Sequence, residues 1–511
     1  MLDWVGLAEK IPTVASPVQK LNFKEKGKWT LIILILFFTL GSITIWGVNP
    51  DAVAQFEFLE IVFGSKFGSL ITLGIGPIVT SSIILQLIVG SGIISWDQTT
   101  EDGKRKFSAA QKLMTISFCF IQGIAYVIAG AVPPATPDAF LMVFVVLELA
   151  FGGIVIMFMD EVVSKWGFGS GVSLFIAAGV SKTIILRTFN PLSQAGLLPD
   201  LEIGELPAGI IPGFIASFIQ GTPLFMNLLP LIATIVVFIV TVYIQNVRIE
   251  IPMAFSMPFG TSSGRRWPLK FLYTSNIPVI LTSAVVANLQ VVGRILYQRG
   301  ITFLGAYDAQ GRPTEGLMYF LSAPTGEIGI IIVTVLASVL ALFFAFIAIK
   351  AWKKNALKMS VLGAVIGLAL GYFLISFYNI ATITTTSVVR SITYMSVFII
   401  ASVIFSIFWV STAGMDAKSV SDQFKSYSIL IPGFRHDPRI IEKVLNRYIP
   451  ALTILGGAFV GFLATFADLT SAIGTGTGIL LAVMIIYQFY EQIMSQHRDD
   501  IPPAIRRFLG A

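Results

Sequence analysis

The stretch QFEFLEIVFGSKFGSLITLGIGPIVTSSIILQLIVG, residues 55–90, decides how the rest of the chain is read, because it holds two helical segments of which only one can cross a membrane. Its second part, 69–90, has the length and apolarity of a transmembrane helix. Its first part, 56–67, is too short to cross and carries Glu57, Glu60 and Lys66 among aromatic and aliphatic residues. That composition suits a re-entrant or interfacial segment buried in protein. Within 69–90, Gly74, Gly76 and Pro77 are expected to weaken the hydrogen-bond ladder near mid-helix. Ile75 and Val79, one helical turn apart, should point the same way. The expectation is a half-helix leading into a full helix that lines something and moves.

Working outward, 55% of the 511 residues are hydrophobic and only 12% charged, far from the balance of a soluble domain. The fold class implied is an all-α polytopic membrane protein. The N-terminal stretch lacks a short apolar core followed by small residues, so the first spanning helix is expected to act as its own insertion signal, preceded by an amphipathic surface helix at LDWVGLAEKI. Apolar runs of spanning length fall at roughly 29–47, 69–90, 109–131, 139–159, 168–187, 225–247, 275–295, 327–350, 360–380, 391–411, 449–467 and 471–493, about twelve spans. Lys and Arg gather at the N-terminus, near 104, 165, 265, 354 and 435, and at the C-terminus, while 188–227 has none. Both termini should therefore be cytoplasmic, and the net charge of +6 is first a topology signal.

Two cytoplasmic connections exceed what linkage needs. Residues 247–273 alternate on both sides of a Gly/Ser turn and read as a hairpin whose returning arm carries Arg265, Arg266 and Lys270. Residues 415–448 are polar and should form short helices around IPGFR. Such basic loops serve equally as orientation determinants, as contacts for anionic lipid or as phosphate-seeking sites on RNA. The outward stretch 188–221, rich in Leu, Pro and Gly, should pack as loops and half-helices.

Several chemistries find no residues. The two histidines, His436 and His497, lie far apart in polar segments, so no His-Glu-x-x-His zinc pair exists and no spanning histidine can serve a Ser nucleophile. There is no phosphate-binding P-loop, and Gly474, Gly476 and Gly478 open a helix without the βαβ context of a dinucleotide site, so close helix packing explains them better. A single cysteine, Cys119, sits in an apolar run and reads as a core residue. No enzyme and no cofactor are expected. Glu148, in VVLELAFGG, is the one clear intramembrane charge; it is a functional candidate by default, or a protonated or hydrogen-bonded carboxyl between helices. A secondary transporter with broken helices is the competing reading, and paired midplane charges would favour it.

At this point the residues resemble a family. IPTVASPVQKLNFKEKGKWT (11–30), LITLGIGPIVTSSIILQLIVGSGII (70–94), DEVVSKWGFGSGVSLFIAAGVS (160–181), FLYTSNIPVILTSAVVANLQ (271–290), FWVSTAGMD (408–416) with IPGFR (431–435), and RYIPALTILGGAFVGFLATFADL (447–469) with YEQ (490–492) are similar to the SecY family, and closest to its archaeal and eukaryotic branch. The family is the channel-forming alpha subunit of the Sec protein translocon. The resemblance implies a SecY-type helical bundle in two halves, 1–247 and 248–511, with cytoplasmic loops 248–274 and 415–448. It implies a plug at Phe56, Phe58, Leu59, Ile61, Val62 and Phe63, and a pore ring of Ile75, Val79, Val172, Ile176, Ile280 and Leu463. It implies a lateral gate between the second and third helices and the seventh and the one at 391–411, with a polar cluster at Thr80, Gln122 and Asn288. It implies ribosome or motor docking at Arg265, Arg266, Lys270 and Arg435, a SecE-type gamma subunit, a small beta subunit, and traffic in signal sequences, nascent polypeptides and membrane lipid. An archaeal-type plasma membrane is expected rather than endoplasmic reticulum.

One departure stands out. The family has ten spanning helices, and here a further pair within 327–380, joined by the basic KAWKKNALK, lies between the seventh and eighth. Its place in sequence beside the gate helices suggests packing on the lipid side near the gate, or a role in holding an accessory subunit.

Overall fold

Each of the twelve apolar runs carries a helix in the computed structural model, which describes residues 11–19, 21–48, 68–90, 93–94, 96, 100–136, 138–193, 199, 205–220, 228–255, 264–308, 313–324, 328–347, 356–378, 384–426, 429–430 and 438–496. In chain order these are α1 (Phe23–Leu40), α2 (Gly76–Gly90), α3 (Glu101–Ile128), α4 (Ala139–Trp166), α5 (Gly171–Phe189), the short α6 (Ile210–Ile219) and α7 (Leu229–Gln245). A hairpin, β1 (Arg248–Phe255) and β2 (Gly264–Lys270), then leads to α8 (Ile277–Gln298), β3 (Ala306–Tyr307), β4 (Pro313–Glu315) and α9 (Gly316–Leu321). The chain closes with α10 (Ile328–Ile347), α11 (Ala356–Tyr378), α12 (Thr385–Thr412), α13 (Ala417–Ser426), β5 (Ile429–Leu430), α14 (Pro438–Leu469) and α15 (Gly476–Gln496). Seven helices among the described residues are long and apolar enough to cross a membrane. The architecture is the expected all-α polytopic membrane fold.

The second helix departs from expectation. Residues 68–75 are turns, and α2 begins only at Gly76, where the carbonyl of Ile75 accepts from the Val79 N–H at 3.0 Å. Gly74 sits at φ +52°, a left-handed value open to glycine, and Pro77 lies in the first turn, where a missing N–H costs nothing. These residues start the helix; they do not weaken its middle.

Neighbouring helices are locked by carboxylates that cap the next element. Asp160 of α4 accepts the Val172 N–H at 2.8 Å, capping α5, and Asp468 of α14 accepts the Gly476 N–H at 2.8 Å, capping α15. Both satisfy N–H groups that a helix start leaves unpaired. A Cβ on Gly476 would fall on the Ala467–Asp468 backbone, so close packing accounts for that glycine. Cys119 is fully buried beside Gly153. The IPTVASP stretch runs as a strap without helix: Lys112, Lys165 and Trp166 donate to the carbonyls of Pro12, Val14 and Ala15, with Glu161 paired to both lysines.

The two polar loops fold as one body. β1 pairs antiparallel with β2 and, on its other edge, with β5, so the sheet order is β2-β1-β5. Ile251 and Leu269 of the hairpin share an apolar cluster with Val420 of α13 and Leu445 of α14, and Trp267 meets Phe424 edge-on at 4.9 Å. Among its described residues the 415–448 loop thus holds one short helix and a strand, IPGFR lies outside them, and the last part is not a short helix: from Pro438 it is the first stretch of the 32-residue α14. Amphipathic continuity carries the helix out of the apolar run into the polar loop.

The pair α10 and α11 packs tightly on itself. Gly363, Gly367 and Gly371, four apart, face α10; a Cβ on Gly363 would stand 2.5 Å from the Leu340 carbonyl and one on Gly371 2.9 Å from Val333 Cα. Small residues at this spacing let backbones meet. Outside the pair, the neighbours of α10 are α7 and α14, with Val335 in one cluster with Ala233, Val237 and Ala467, not the α2–α3/α8–α12 seam expected from sequence order. Alanines there admit a close approach, and succession in sequence does not impose adjacency in space.

Candidate functional site

Six aliphatic side chains converge from four parts of the chain. Ile75, Val79, Ile176 and Leu463 are buried members of one apolar cluster, and Val172 and Ile280 pack against it half-buried. Each is delivered by a defined device. Ile75 is the residue before α2, and Val79 lies one turn into it. Val172 and Ile176 sit in the first turns of α5, whose start Asp160 holds. Ile280 follows Pro278 at the start of α8, and Leu463 lies just after Gly461 of α14, which approaches Ser402 of α12. Such side chains can exclude water and ions while offering no fixed hydrogen bond that a passing chain must break.

Beside this cluster runs a seam with a polar centre. The Thr80 hydroxyl oxygen accepts from the Gln122 side-chain amide at 3.0 Å and from the Asn288 amide at 3.2 Å, joining α2, α3 and α8. A hydroxyl has two acceptor sites, and the two amides fill both. The Gln122 carbonyl oxygen is buried and meets no donor among the described residues, so the closed seam is only partly satisfied. Ser81 and Thr115, in hydroxyl contact at 2.7 Å, add a second α2–α3 tie, and α2 also packs on α12. The seam therefore lies between the pairs α2–α3 and α8–α12.

Basic residues of the hairpin are engaged within the chain. Arg266 donates to Glu250 at 2.9 Å, and Lys270 pairs with Glu491 beside the Tyr487 ring. The hydrogen bond from Arg266 holds the Glu250 carboxyl below its ordinary range; desolvation opposes it, and the charges of Arg266 and Arg248 add to the lowering. Tyr273 donates to the Met415 carbonyl at 2.7 Å, and burial pushes its phenol up to about 12. The Arg265 side chain, Arg435, the plug positions 56–63 and the N-terminal LDWVGLAEKI except its last residue, Ile11, lie outside the described residues or side chains.

Glu148 has a partner: its Oε2 accepts the Trp46 N–H at 3.2 Å, pinning the segment after α1 to α4. The hydrogen-bonded alternative describes it. Asp160 and Asp468 were not legible as site-building residues; the only signal was an acid beside a glycine-rich connection at the end of an apolar run.

The SecY family profile matches residues 69–490. The chain belongs to the SecY family. Among SecY relatives, the protein translocase subunit SecY of Methanocaldococcus jannaschii is 39% identical over 510 residues, covering 100% of both chains. That of Methanothermobacter thermautotrophicus is 40% identical over 504 residues, 98% of this chain and 97% of the relative. A solved protein-conducting channel superposes with a TM-score of 0.75 at 39% identity, covering 98% of this chain and 99% of the other. Sec61 in a canine ribosome–channel complex from the endoplasmic reticulum gives 0.73 at 38% identity, with 98% and 99% coverage. The SecY membership accounts for the bundle and for the order of its motifs.

Proposed function

We propose that the chain is a protein-conducting channel that moves unfolded secretory polypeptides across a membrane and releases hydrophobic segments sideways into lipid. The observation that carries this reading is the convergence of Ile75, Val79, Val172, Ile176, Ile280 and Leu463 in one apolar cluster, next to a seam whose polar centre is Thr80. The six side chains act as a gasket around the translocating chain. In the Thr80–Gln122–Asn288 cluster the Asn288 bond crosses the seam and holds it shut by roughly 1 kcal/mol, little enough for an apolar signal helix to replace, while Gln122 positions the shared Thr80 oxygen from α3. The names of the relatives, translocase subunits and a protein-conducting channel, support the same reading.

In this reading 1–247 and 248–511 are the two halves that open against each other, clamped by a SecE-type gamma subunit and joined by a small beta subunit. The β1–β2–β5 body with α13 is the platform for a ribosome or another motor. Arg266 and Lys270 exchange their pairs with Glu250 and Glu491 for phosphate at small cost, because solvent screens ion pairs at the surface. Both termini are cytoplasmic, the membrane is an archaeal-type plasma membrane, and α10–α11 is an insertion on the α7/α14 side.

The test is site-specific photocrosslinking from Ile75, Ile280 and Leu463 to a stalled secretory nascent chain in native membranes. Adducts at all three are expected. Silence at all three, while a probe at Arg435 captures the ribosome, would remove the pore and leave only the docking platform.

A further inference from the structure

The Thr80 cluster is not the only polar contact across the seam. The side-chain amide of Gln298, the last residue of α8, donates to the carbonyl of Ala129, the residue that ends α3, at 2.9 Å. That carbonyl belongs to the last turn of a helix, where no intrahelical donor remains. The next residue, Gly130, has φ +65°, and a Cβ built there would stand 3.3 Å from the Gln298 amide nitrogen. A left-handed glycine thus turns the chain away and leaves room for the amide.

Between this contact and Thr80, Tyr126 and Val127 of α3 and Val291 of α8 are buried in one apolar cluster, and the Tyr126 hydroxyl and a guanidinium nitrogen of Arg294 are buried along the same stretch. Gln122 precedes Ala129 on α3, and Asn288 precedes Gln298 on α8, so the two polar contacts lie in the same order along both helices. They are separated by about 15 Å on α8, at the helical rise.

The end of α8 is itself braced. Tyr307 donates to the Gln290 carbonyl at 3.3 Å, and Met318 of α9 is buried where Gly293 leaves space. From α12, Arg390 donates to the carbonyls of Tyr319 and Ala323 and to the Ser322 hydroxyl, at 3.0, 3.2 and 2.7 Å, with its guanidinium 4.1 Å from the Tyr319 ring centre. These contacts tie α8 to α12 through α9. Gln298 is therefore presented by the α8–α12 side as a unit, and movement of that side away from α3 must break its hydrogen bond.

We infer that Gln298 is a second latch of the lateral seam, closing its outer end against the Ala129 carbonyl as Thr80 closes its middle. The inference rests on the gate reading above. Its role is positional: the side chain touches no substrate and sets how readily α3 and α8 part.

The test uses the full chain with its partner subunits in lipid nanodiscs, carrying spin labels at Ile121 of α3 and Val292 of α8, both lipid-facing and away from the latch. The distance distribution gives the fraction of open seam. Gln298→Met keeps the shape and removes the donor; loss of one such bond is expected to raise the open fraction roughly two- to ten-fold. Gln298→Lys restores a donor and should return it toward the native value, which a merely steric role would not do. The same series is read in translocation of a reporter whose signal has a shortened apolar core, expected to rise with Met and fall back with Lys. If Met matches the native distribution while Thr80→Val opens the seam, the latch is wrong and the gate stands. If neither opens it, the gate reading fails as well. If Met and Lys open it equally, the donor is not what holds the end, and the latch is overturned.

Discussion

Thr80 and Asn288, 208 positions apart in sequence, meet at 3.2 Å, and the same Thr80 oxygen takes the Gln122 amide at 3.0 Å. One hydroxyl therefore carries the middle of the contact between α2, α3 and α8. Thr80→Val keeps the shape and removes both acceptor sites. Of the two bonds lost, only that from Asn288 crosses the seam, so the closed seam should weaken by about 1 kcal/mol, or roughly five-fold in the open population. The measurement is export of a secreted reporter with a weakened signal relative to one with an intact signal. An unchanged ratio in a fully assembled complex would mean that these bonds do not hold the gate.

Asp468 joins three elements at once, accepting from Gly476 and Thr477 at the start of α15 and, at 2.8 Å, from the Tyr394 hydroxyl of α12. Asp468→Ala leaves those buried donors unpaired and should cost about 1–3 kcal/mol. Asp468→Asn retains the oxygen that caps α15 and should lose less. The thermal midpoint of the reconstituted complex orders the variants native, Asn, Ala; an Ala midpoint equal to the native one contradicts the capping role.

The α10–α11 pair is held by backbone contact at Gly367, where a Cβ would fall on Ala337. Gly367→Leu overpacks that line and should destabilise the pair by about 1–3 kcal/mol, with Gly367→Ala losing less. Because α10 rests on α7 and α14, cysteine crosslinking across the α3–α8 seam should keep its native rate in both variants. A seam that responds as strongly as the pair itself would show that the pair controls the seam.

The hairpin should loosen in acid. The Glu250 carboxyl is held below its usual range by the Arg266 hydrogen bond, so its stabilising contribution is complete above the unfolded value of about 4.3 and disappears as pH falls through the lower folded value. Hydrogen-exchange protection of β1 and β2, corrected for intrinsic rates, should fall between neutral pH and the acid side of that range. Glu250→Gln should make the profile flat; a native profile that is already flat rules the pair out as a contributor.

Much of this molecule is legible before any coordinate. The apolar runs became helices, and the alternating arms about a Gly/Ser turn became β1 and β2. The start of α2 was misread because hydropathy reports burial and not helical phase: residues 68–75 are as apolar as a helix but turn through Gly74 at φ +52°. The 415–448 loop was misread because polarity conceals that α14 begins inside it, at Pro438. The sequence left the readings of Glu148 open because its partner is a main-chain N–H, that of Trp46, which no residue type announces.

Composition and pattern alone determined that this chain inserts in a membrane as successive helices, that its basic residues collect in alternate connections, and that Ile75, Val79, Val172, Ile176, Ile280 and Leu463 are all aliphatic. Only the tertiary structure decided which helices are neighbours: that those six share one cluster, that α10 rests on α7 and α14, and that Gln298 reaches the Ala129 carbonyl. The reason is that lipid satisfies an apolar helix face as well as another helix does, so hydropathy selects the spans but not their partners. Partners are chosen by glycine and alanine faces that admit a backbone and by single donors that find an acceptor, and both exist only once the helices are placed.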